Sequence, residues 1–164
     1  MGTRCGDVDP GALEFLAKKE NLDFAQELDI LNQESGVLGI SKNFSSDFRE
    51  LKDAELKYND QAALAREIFA YRVAKYVGSY AAAMNGVDNI VFTAGVGEND
   101  SDIRMEICSY LEYLGITIDE VKNRDEAEAF RISDGMSRVN VLVIKTNEEL
   151  EIAREAAEVA RMYH

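Results

Sequence analysis

The sequence predicts an α/β fold: a parallel or mixed sheet with flanking helices, preceded by a helical N-terminal portion. Three observations predict it. Apolar residues recur at three- and four-residue spacing through the first half of the chain. Two short β-branched runs stand in the second half, Asn89-Ile90-Val91-Phe92-Thr93 and residues 139–144. Helical patterns return after each, and alternation of strand with helix is the mark of a sheet covered by helices.

The elements follow in order. Asp9 and Pro10 open a helix as cap and first residue, with Leu13, Leu16 and Ala17 on one face. A second helix spans 24–34 with Leu28 and Leu31 inward. Gly36 and Gly39 bracket a short apolar piece, Val37-Leu38. Ser45-Ser46-Asp47 opens a helix to about Tyr58. Residues 60–84 read as one long helix whose apolar positions include Leu64, Ile68, Tyr71, Val73, Val77, Tyr80 and Met84. Alanines widen that apolar surface, so burial on more than one side is expected, and Asn85-Gly86 ends it. After the strand at 89–93 comes a glycine turn, 94–99. A helix marked by Ile103, Ile107, Tyr110, Leu111 and Leu114 closes at Gly115. Residues 116–118 and 131–133 are short strand candidates, 139–144 is a strong strand, and 146–163 is the last helix.

The length of 164 residues, 46% of them hydrophobic, suits a single core. No internal repeat or obvious linker is visible, and the polar stretch at 119–128 is not low-complexity, so one compact domain is the simplest account. The formal charge of -13 disfavours a nucleic-acid partner and an acidic membrane surface. Two distant cysteines, Cys5 and Cys108, and one histidine, His164, leave almost no donors for zinc. No signal peptide and no membrane-spanning apolar run is seen, and a cytoplasmic setting is expected.

Four segments are candidates for chemistry. In the turn Ala94-Gly95-Val96-Gly97-Glu98-Asn99, the glycines permit positive φ and close approach of a ligand to the backbone. Alone, G-x-G is a weak signal, and a plain tight turn is the simpler reading. Glu98, Asp100 and Asp102 crowd the following helix start and already satisfy its dipole. A triphosphate tail there would be repelled, so the turn suits the adenosine end of a nucleotide better. In Thr146-Asn147-Glu148-Glu149, Thr146 and Glu149 have capping-box spacing. Glu148 is then either an acid favouring the helix dipole or a ligand for Mg²⁺. In Ser45-Ser46-Asp47-Phe48-Arg49-Glu50, Asp47 and Glu50 again have cap-like spacing, while Phe48 and Arg49 have the chemistry to stack on a base and reach a phosphate or ribose. In Met1-Gly2-Thr3-Arg4-Cys5-Gly6-Asp7, Arg4 is either an ordinary surface cation or a group suited to a transferring phosphoryl. Cys5 has no histidine near it in sequence and is rejected as a nucleophile.

MGTRCGD, SSDFRE, FTAGVGEN and VLVIKTNEE, in this order and at these separations, resemble the acetate kinase (acetate/propionate kinase) family across essentially the whole chain. What they match is the family's C-terminal portion. The resemblance implies a ribonuclease-H-like domain of the sugar kinase/Hsp70/actin superfamily. It implies that residues 1–164 are the C-terminal nucleotide-binding domain, with the N-terminal domain absent. It also implies that Arg4 stabilises the transition state, that Asp47, Phe48 and Arg49 contact adenosine, that Gly95, Val96, Gly97, Glu98 and Asn99 form a second nucleotide-binding stretch, and that Glu148 is associated with Mg²⁺ (or Mn²⁺). Three departures are noted: Cys5 stands where serine is usual, Ala94 where glycine is, and Lys145 where proline is common.

The implied reaction is direct in-line transfer of the ATP γ-phosphoryl to acetate, giving acetyl phosphate and ADP reversibly, within acetyl-CoA biosynthesis. The family's remaining catalytic residues and much of its carboxylate pocket lie in the N-terminal domain, so this chain alone is expected to be inactive. Met1 is either a start or the family's own methionine before Gly-Thr-Arg. The rival readings are the corresponding half of a propionate or butyrate kinase, and a non-catalytic dimerisation module. The family forms homodimers through this domain, and the helix at 60–84 is a reasonable interface element.

Overall fold

The computed structural model describes residues 1–124 and 129–162. Residues 125–128 of the expected polar stretch lie outside that description, as do Tyr163 at the expected end of the last helix and His164. The chain groups into two compact units, Met1–Ser79 and Tyr80–His164. The boundary falls inside a helix, so no linker composition marks it and the sequence reads as one domain.

In the first unit, Asp9 caps α1 (Pro10–Glu20), its carboxylate accepting from the Gly11 N–H at 2.8 Å. Leu13, Leu16 and Ala17 are its half-buried positions. A capping box opens α2 (Phe24–Gln33): the Gln26 N–H donates to Asp23, and the Asp23 N–H to the Gln26 side chain, both at 2.9 Å. The inward face of α2 differs from expectation. Leu31 is half-buried, but Leu28 is exposed and Glu27 is buried in its place. A three-residue spacing fits several overlapping stripes of a short helix, and only packing selects among them.

Residues 36–40 form one helical turn, α3 (Gly36–Ile40). Gly36 has φ +59°, and a Cβ there would lie 2.3 Å from the Met1 carbonyl oxygen and 2.5 Å from that of Arg4. Glycine is therefore required for the N-terminal segment to pass. That segment is pinned by backbone hydrogen bonds: Cys5 N–H to the Leu31 carbonyl (2.8 Å), and Ser35, Val37 and Leu38 N–H to the Thr3, Met1 and Gly2 carbonyls (each 2.9 Å).

The helix expected to reach Tyr58 is shorter, α4 (Phe48–Glu55), because the chain turns left-handed at Tyr58 (φ 63°). The long helix is α5 (Asp60–Ala83). It is ended as expected by Asn85 (φ 58°) and Gly86 (φ 132°), whose N–H reaches the Ala81 carbonyl at 2.8 Å. Its buried stripe is carried by small residues, Ala62, Ala65, Ala70, Ala74 and Ala81, while Leu64, Tyr71, Tyr80 and Met84 are exposed. Alanine lets a neighbouring element approach closely, so the narrow side of the helix turns inward. Val37, Leu51, Ala54, Ala62 and Ala65 form a core on which Ile40, Phe48 and Phe69 pack.

In the second unit, β1 (Asn89–Phe92) leads to α6 (Ala94–Asn99), α7 (Ser101–Ser109), a 3₁₀ turn (Glu112–Leu114) and α8 (Glu120–Asn123). β2 (Ala129–Arg131), β3 (Asn140–Ile144) and α9 (Glu148–Met162) follow. The strands form a mixed sheet in the order β1-β3-β2. β1 and β3 run parallel, with Ile90 opposite Val141 and Phe92 opposite Val143, and β2 is antiparallel to β3, with Arg131 opposite Leu142. Ile90, Phe92, Val141 and Val143 are buried.

Two strand candidates change form. Among the described residues, 116–118 form no strand and pair through an isolated antiparallel bridge from Ile118 to Ser133. At 132–133, Ile132 and Ser133 both aim N–H groups at the Val141 carbonyl (2.8 and 3.4 Å), the pattern of a β-bulge that ends regular pairing. The helix expected between Ile103 and Leu114 breaks after Ser109, and Gly115 (φ +80°) still closes the segment.

Leu51 is fully buried in the first unit's core. Leu51→Ala is expected to cost about 3 kcal/mol, from lost transfer energy and a residual cavity. The check is the urea midpoint, which should fall with no change in slope.

Candidate functional site

The segment after β1 is not a turn but the helix α6, and its glycines do not take positive φ. The left-handed residue is Ala94, at φ 59°. Family resemblance puts a glycine at this position, and the backbone shows why one would suit it. The two glycines serve different ends. A Cβ at Gly97 would lie 3.4 Å from the Phe92 backbone, whereas one at Gly95 would meet nothing within 4 Å. Gly97 packs against Phe92 at the end of β1, where a Cβ would make an ordinary van der Waals contact, and Gly95 faces open space.

The expected crowd of acids at one helix start resolves into two helices. Asp100 is buried and caps α7, accepting from the Ile103 N–H at 3.2 Å. Asp102 lies in the first turn of α7, and the first turn of α6 holds no acid. Glu98, near the end of α6, reaches back. Its Oε1 accepts from the Ala94 N–H (2.6 Å), the Thr146 N–H (2.8 Å) and the Thr146 hydroxyl (3.0 Å). The Thr146 N–H is the main cause holding the Glu98 carboxyl below its usual range, with burial working the other way.

Thr146 is thereby diverted from the capping role its spacing suggests. Asn147 caps α9 instead, its side-chain oxygen accepting from the Leu150 N–H at 3.1 Å. Ala94, Gly95, Thr146, Asn147, Glu148 and Glu149 line a shallow groove of ≈ 460 Å³. It lies where the adjacent parallel strands β1 and β3 end, the place where such sheets bind ligands. Glu148 is exposed at the first position of α9. Among the described residues no group of three or more acids, cysteines or histidines converges as a cage for a metal ion. The donors fit a hydrated Mg²⁺, which takes one or two carboxylates together with substrate phosphates.

Behind α6 sits a residue that sequence reasoning missed. Arg104 is buried and donates Nη1 to the Gly97 carbonyl (2.9 Å) and the Glu98 carbonyl (2.8 Å). Its Nε donates to Asn123 Oδ1 (2.8 Å) and its Nη2 to the Asn123 carbonyl. Asn123 in turn donates to the Ser101 carbonyl at 2.7 Å. Burial lowers the Arg104 pKa from its ordinary value, and nearby acids work against that shift. An arginine among the apolar positions of α7 is the one signal the sequence offered.

In the first unit, Asp47 caps α4 by accepting from the Arg49 N–H at 2.8 Å. The same carboxylate takes a fork from Arg49, Nε to Oδ1 at 3.1 Å and Nη2 to Oδ2 at 2.6 Å. Arg49 holds the Asp47 pKa down to about 2, from an ordinary 3.8. Phe48, half-buried like Asp47, meets Phe69 edge-on with its ring, centroids 4.5 Å apart. It is an anchor for Asp47 and Arg49 more than a free stacking surface. Arg66, also missed, is buried and ties α4 to α5 through Glu55 (2.6 Å) and the Phe48 carbonyl (3.5 Å). Arg4 is exposed on the pinned N-terminal segment. Cys5 donates its thiol to the Gly6 carbonyl at 3.2 Å. Cys108 is buried, and burial pushes its thiol up to about 12, which leaves it inert.

The chain matches the profile of the Acetokinase family over residues 1–154. It belongs to that family. It is 54% identical to the acetate kinase of Lachnoclostridium phytofermentans and 55% identical to that of Carboxydothermus hydrogenoformans, each over 97% of this chain. A crystal structure of Porphyromonas gingivalis acetate kinase superposes with a TM-score of 0.89 at 46% identity, covering 98% of this chain and 40% of that one. A propionate kinase from Francisella tularensis gives a TM-score of 0.85 at 41% identity, covering 94% of this chain and 39% of that one. The chain thus spans about 40% of the length of the curated relatives it matches. The α/β fold, with its mixed sheet, flanking helices and helical N-terminal portion, is that of the ribonuclease-H-like superfamily expected from the sequence.

Two outcomes are expected from this geometry. Ala94→Gly removes a left-handed Cβ penalty of about 1–2 kcal/mol against about 0.4–1 kcal/mol of added unfolded-chain entropy. The urea midpoint should rise, and a fall would contradict the reading. An NMR titration should place the Asp47 midpoint at about 2. Because the folded value is depressed, the stability it contributes is present above about pH 4 and lost as the pH falls towards 2. Arg49→Ala should return that midpoint towards 3.8.

Proposed function

We propose that this chain is the nucleotide-binding half of an acetate kinase-type phosphotransferase, which moves the γ-phosphoryl of ATP to a carboxylate and reverses to make ATP from an acyl phosphate. The observation that carries the reading is the groove at the ends of β1 and β3, where the open face of Gly95 and the carboxylate of Glu148 meet. Family membership supports the same assignment. Acetate is the favoured acceptor because the high-identity relatives bear that name, although the likeness to a propionate kinase admits a longer chain.

The residues divide the work by chemistry. Gly95, Val96, Gly97 and Asn99 present backbone and amide groups to the nucleotide, and Gly95 has no side chain to obstruct its approach. Asp47 and Arg49 supply an acceptor and a cation for the adenosine side, held in place by the packing of Phe48. Arg4 gives a cation that offsets the charge developing on the phosphoryl group. Loose phosphoryl transfer leaves the protein little covalent work, so position and positive charge are what it contributes. Glu148 would hold Mg²⁺, which when bound offsets phosphate charge and orients the nucleotide tail. A homodimer is part of the proposal, with α5 as its interface element, on which Leu64, Tyr71 and Tyr80 are exposed, and so is a cytoplasmic setting. No described helix is long and apolar enough to cross a membrane.

Calorimetric titration tests the reading. MgADP should bind saturably, and Arg49→Ala should weaken it about tenfold, some 1.4 kcal/mol. Glu148→Gln should weaken MgADP while leaving metal-free ADP unchanged. The 164-residue chain should show no acetyl phosphate formation from MgATP and acetate. Absence of any saturable MgADP binding, with a stable dimer in light scattering, would replace this reading with that of an interaction module.

A further inference from the structure

Glu98 falls within the stretch that resemblance assigns to the nucleotide, yet its side chain is spent inside the protein. One oxygen, Oε1, accepts three hydrogen bonds from the backbone of Ala94 and from the backbone and hydroxyl of Thr146, and the Thr93 side chain also hydrogen-bonds to the carboxylate. The donors come from two places: Ala94 follows β1, and Thr146 follows β3. These are the two walls of the groove, and they are 52 residues apart in sequence, from 94 to 146. The backbone from which Glu98 reaches is itself fixed. Arg104 holds the Gly97 and Glu98 carbonyls from behind, and Asn99 donates to the Gly95 carbonyl at 2.8 Å.

We propose that Glu98 is a positioning residue, a latch whose side-chain oxygen joins the two walls and so sets the spacing between Gly95 and Glu148. It acts on the nucleotide through these two residues and not by touching it. The inference rests on the nucleotide reading of the groove for its purpose, but the latch is a property of the unliganded chain. Its chemistry makes a specific demand. The walls need an acceptor oxygen at the end of a glutamate-length side chain, and they do not need a charge. Glutamine offers such an oxygen, alanine offers none, and aspartate is one methylene short.

Amide exchange by NMR on the nucleotide-free chain, combined with MgADP titration, tests this. In Glu98→Ala the Ala94 and Thr146 amides should both exchange about tenfold faster or more, and MgADP should bind about tenfold more weakly. Glu98→Gln should keep both amides protected and stay within about threefold of wild type in affinity. Should the alanine variant not fold, Glu98→Asp serves the same comparison. Unchanged exchange at Ala94 and Thr146 in the alanine or aspartate variant would overturn the latch. So would a glutamine variant as impaired in MgADP binding as the alanine one, since that would mean the charge itself is needed by the ligand or its metal. If the wild type binds no MgADP, the nucleotide reading fails, while the exchange result still decides the latch.

Discussion

Parallel pairing of β1 with β3 is the constraint on which the second unit depends. It sets Phe92 opposite Val143, so both strands end at the same level and their following loops emerge side by side. Parallel neighbours cannot be joined by a tight hairpin. The chain must therefore leave through α6, α7 and α8 before returning, and it comes back along β2 and its bulge. The excursion supplies the parts that shape the groove from behind. Arg104 and Asn123 lie on it, and both are buried: Arg104 holds the Gly97 and Glu98 carbonyls of α6, and Asn123 accepts from Arg104 and donates to Ser101.

The first unit solves a related problem by other means. It has no sheet, so the segment bearing Arg4 is fixed by backbone hydrogen bonds to residues 31–38 and by the absence of a side chain at Gly36. Asp47 and Arg49 are fixed by the fork between them, by Phe48 in the core and by the buried Arg66 beneath α4. In both units, then, exposed groups with functional chemistry stand on backbone that buried polar groups restrain. Arg66 and Arg104 resemble one another in this respect. Each is a buried cation that donates to a backbone carbonyl of a segment proposed to meet the nucleotide, Arg66 to Phe48 and Arg104 to Gly97 and Glu98.

Much of this was legible from local signals. Helix starts at Asp9 and Asp47 follow from side chains that cap their own neighbours, and the structure adds a capping box at Asp23. The end of α5 follows from Asn85 and Gly86, which tolerate left-handed backbone. The strand pattern of β1 and β3 is written in β-branched residues. The family motifs identified the candidate residues as a set, which no single motif does. Signals failed where a residue's partner lies far away in sequence. Thr146 has the spacing of a cap, but Glu98 competes for it. Ala94, not the glycines beside it, takes the left-handed conformation, because the direction of the chain leaving β1 sets φ there.

The sequence by itself determined the family, most of the helices and the two parallel strands, and it offered a list of candidate side chains whose chemistry suits phosphotransfer. Those depend on residue type and on neighbours within a turn or two of chain. Only the tertiary structure decided which of these side chains face outward and which are engaged. It turned Glu98 back onto Ala94 and Thr146, placed Phe48 on Phe69, and buried alanines in preference to tyrosines along α5. Each outcome is a competition between partners brought together by folding, and spacing along the chain does not encode which partner wins.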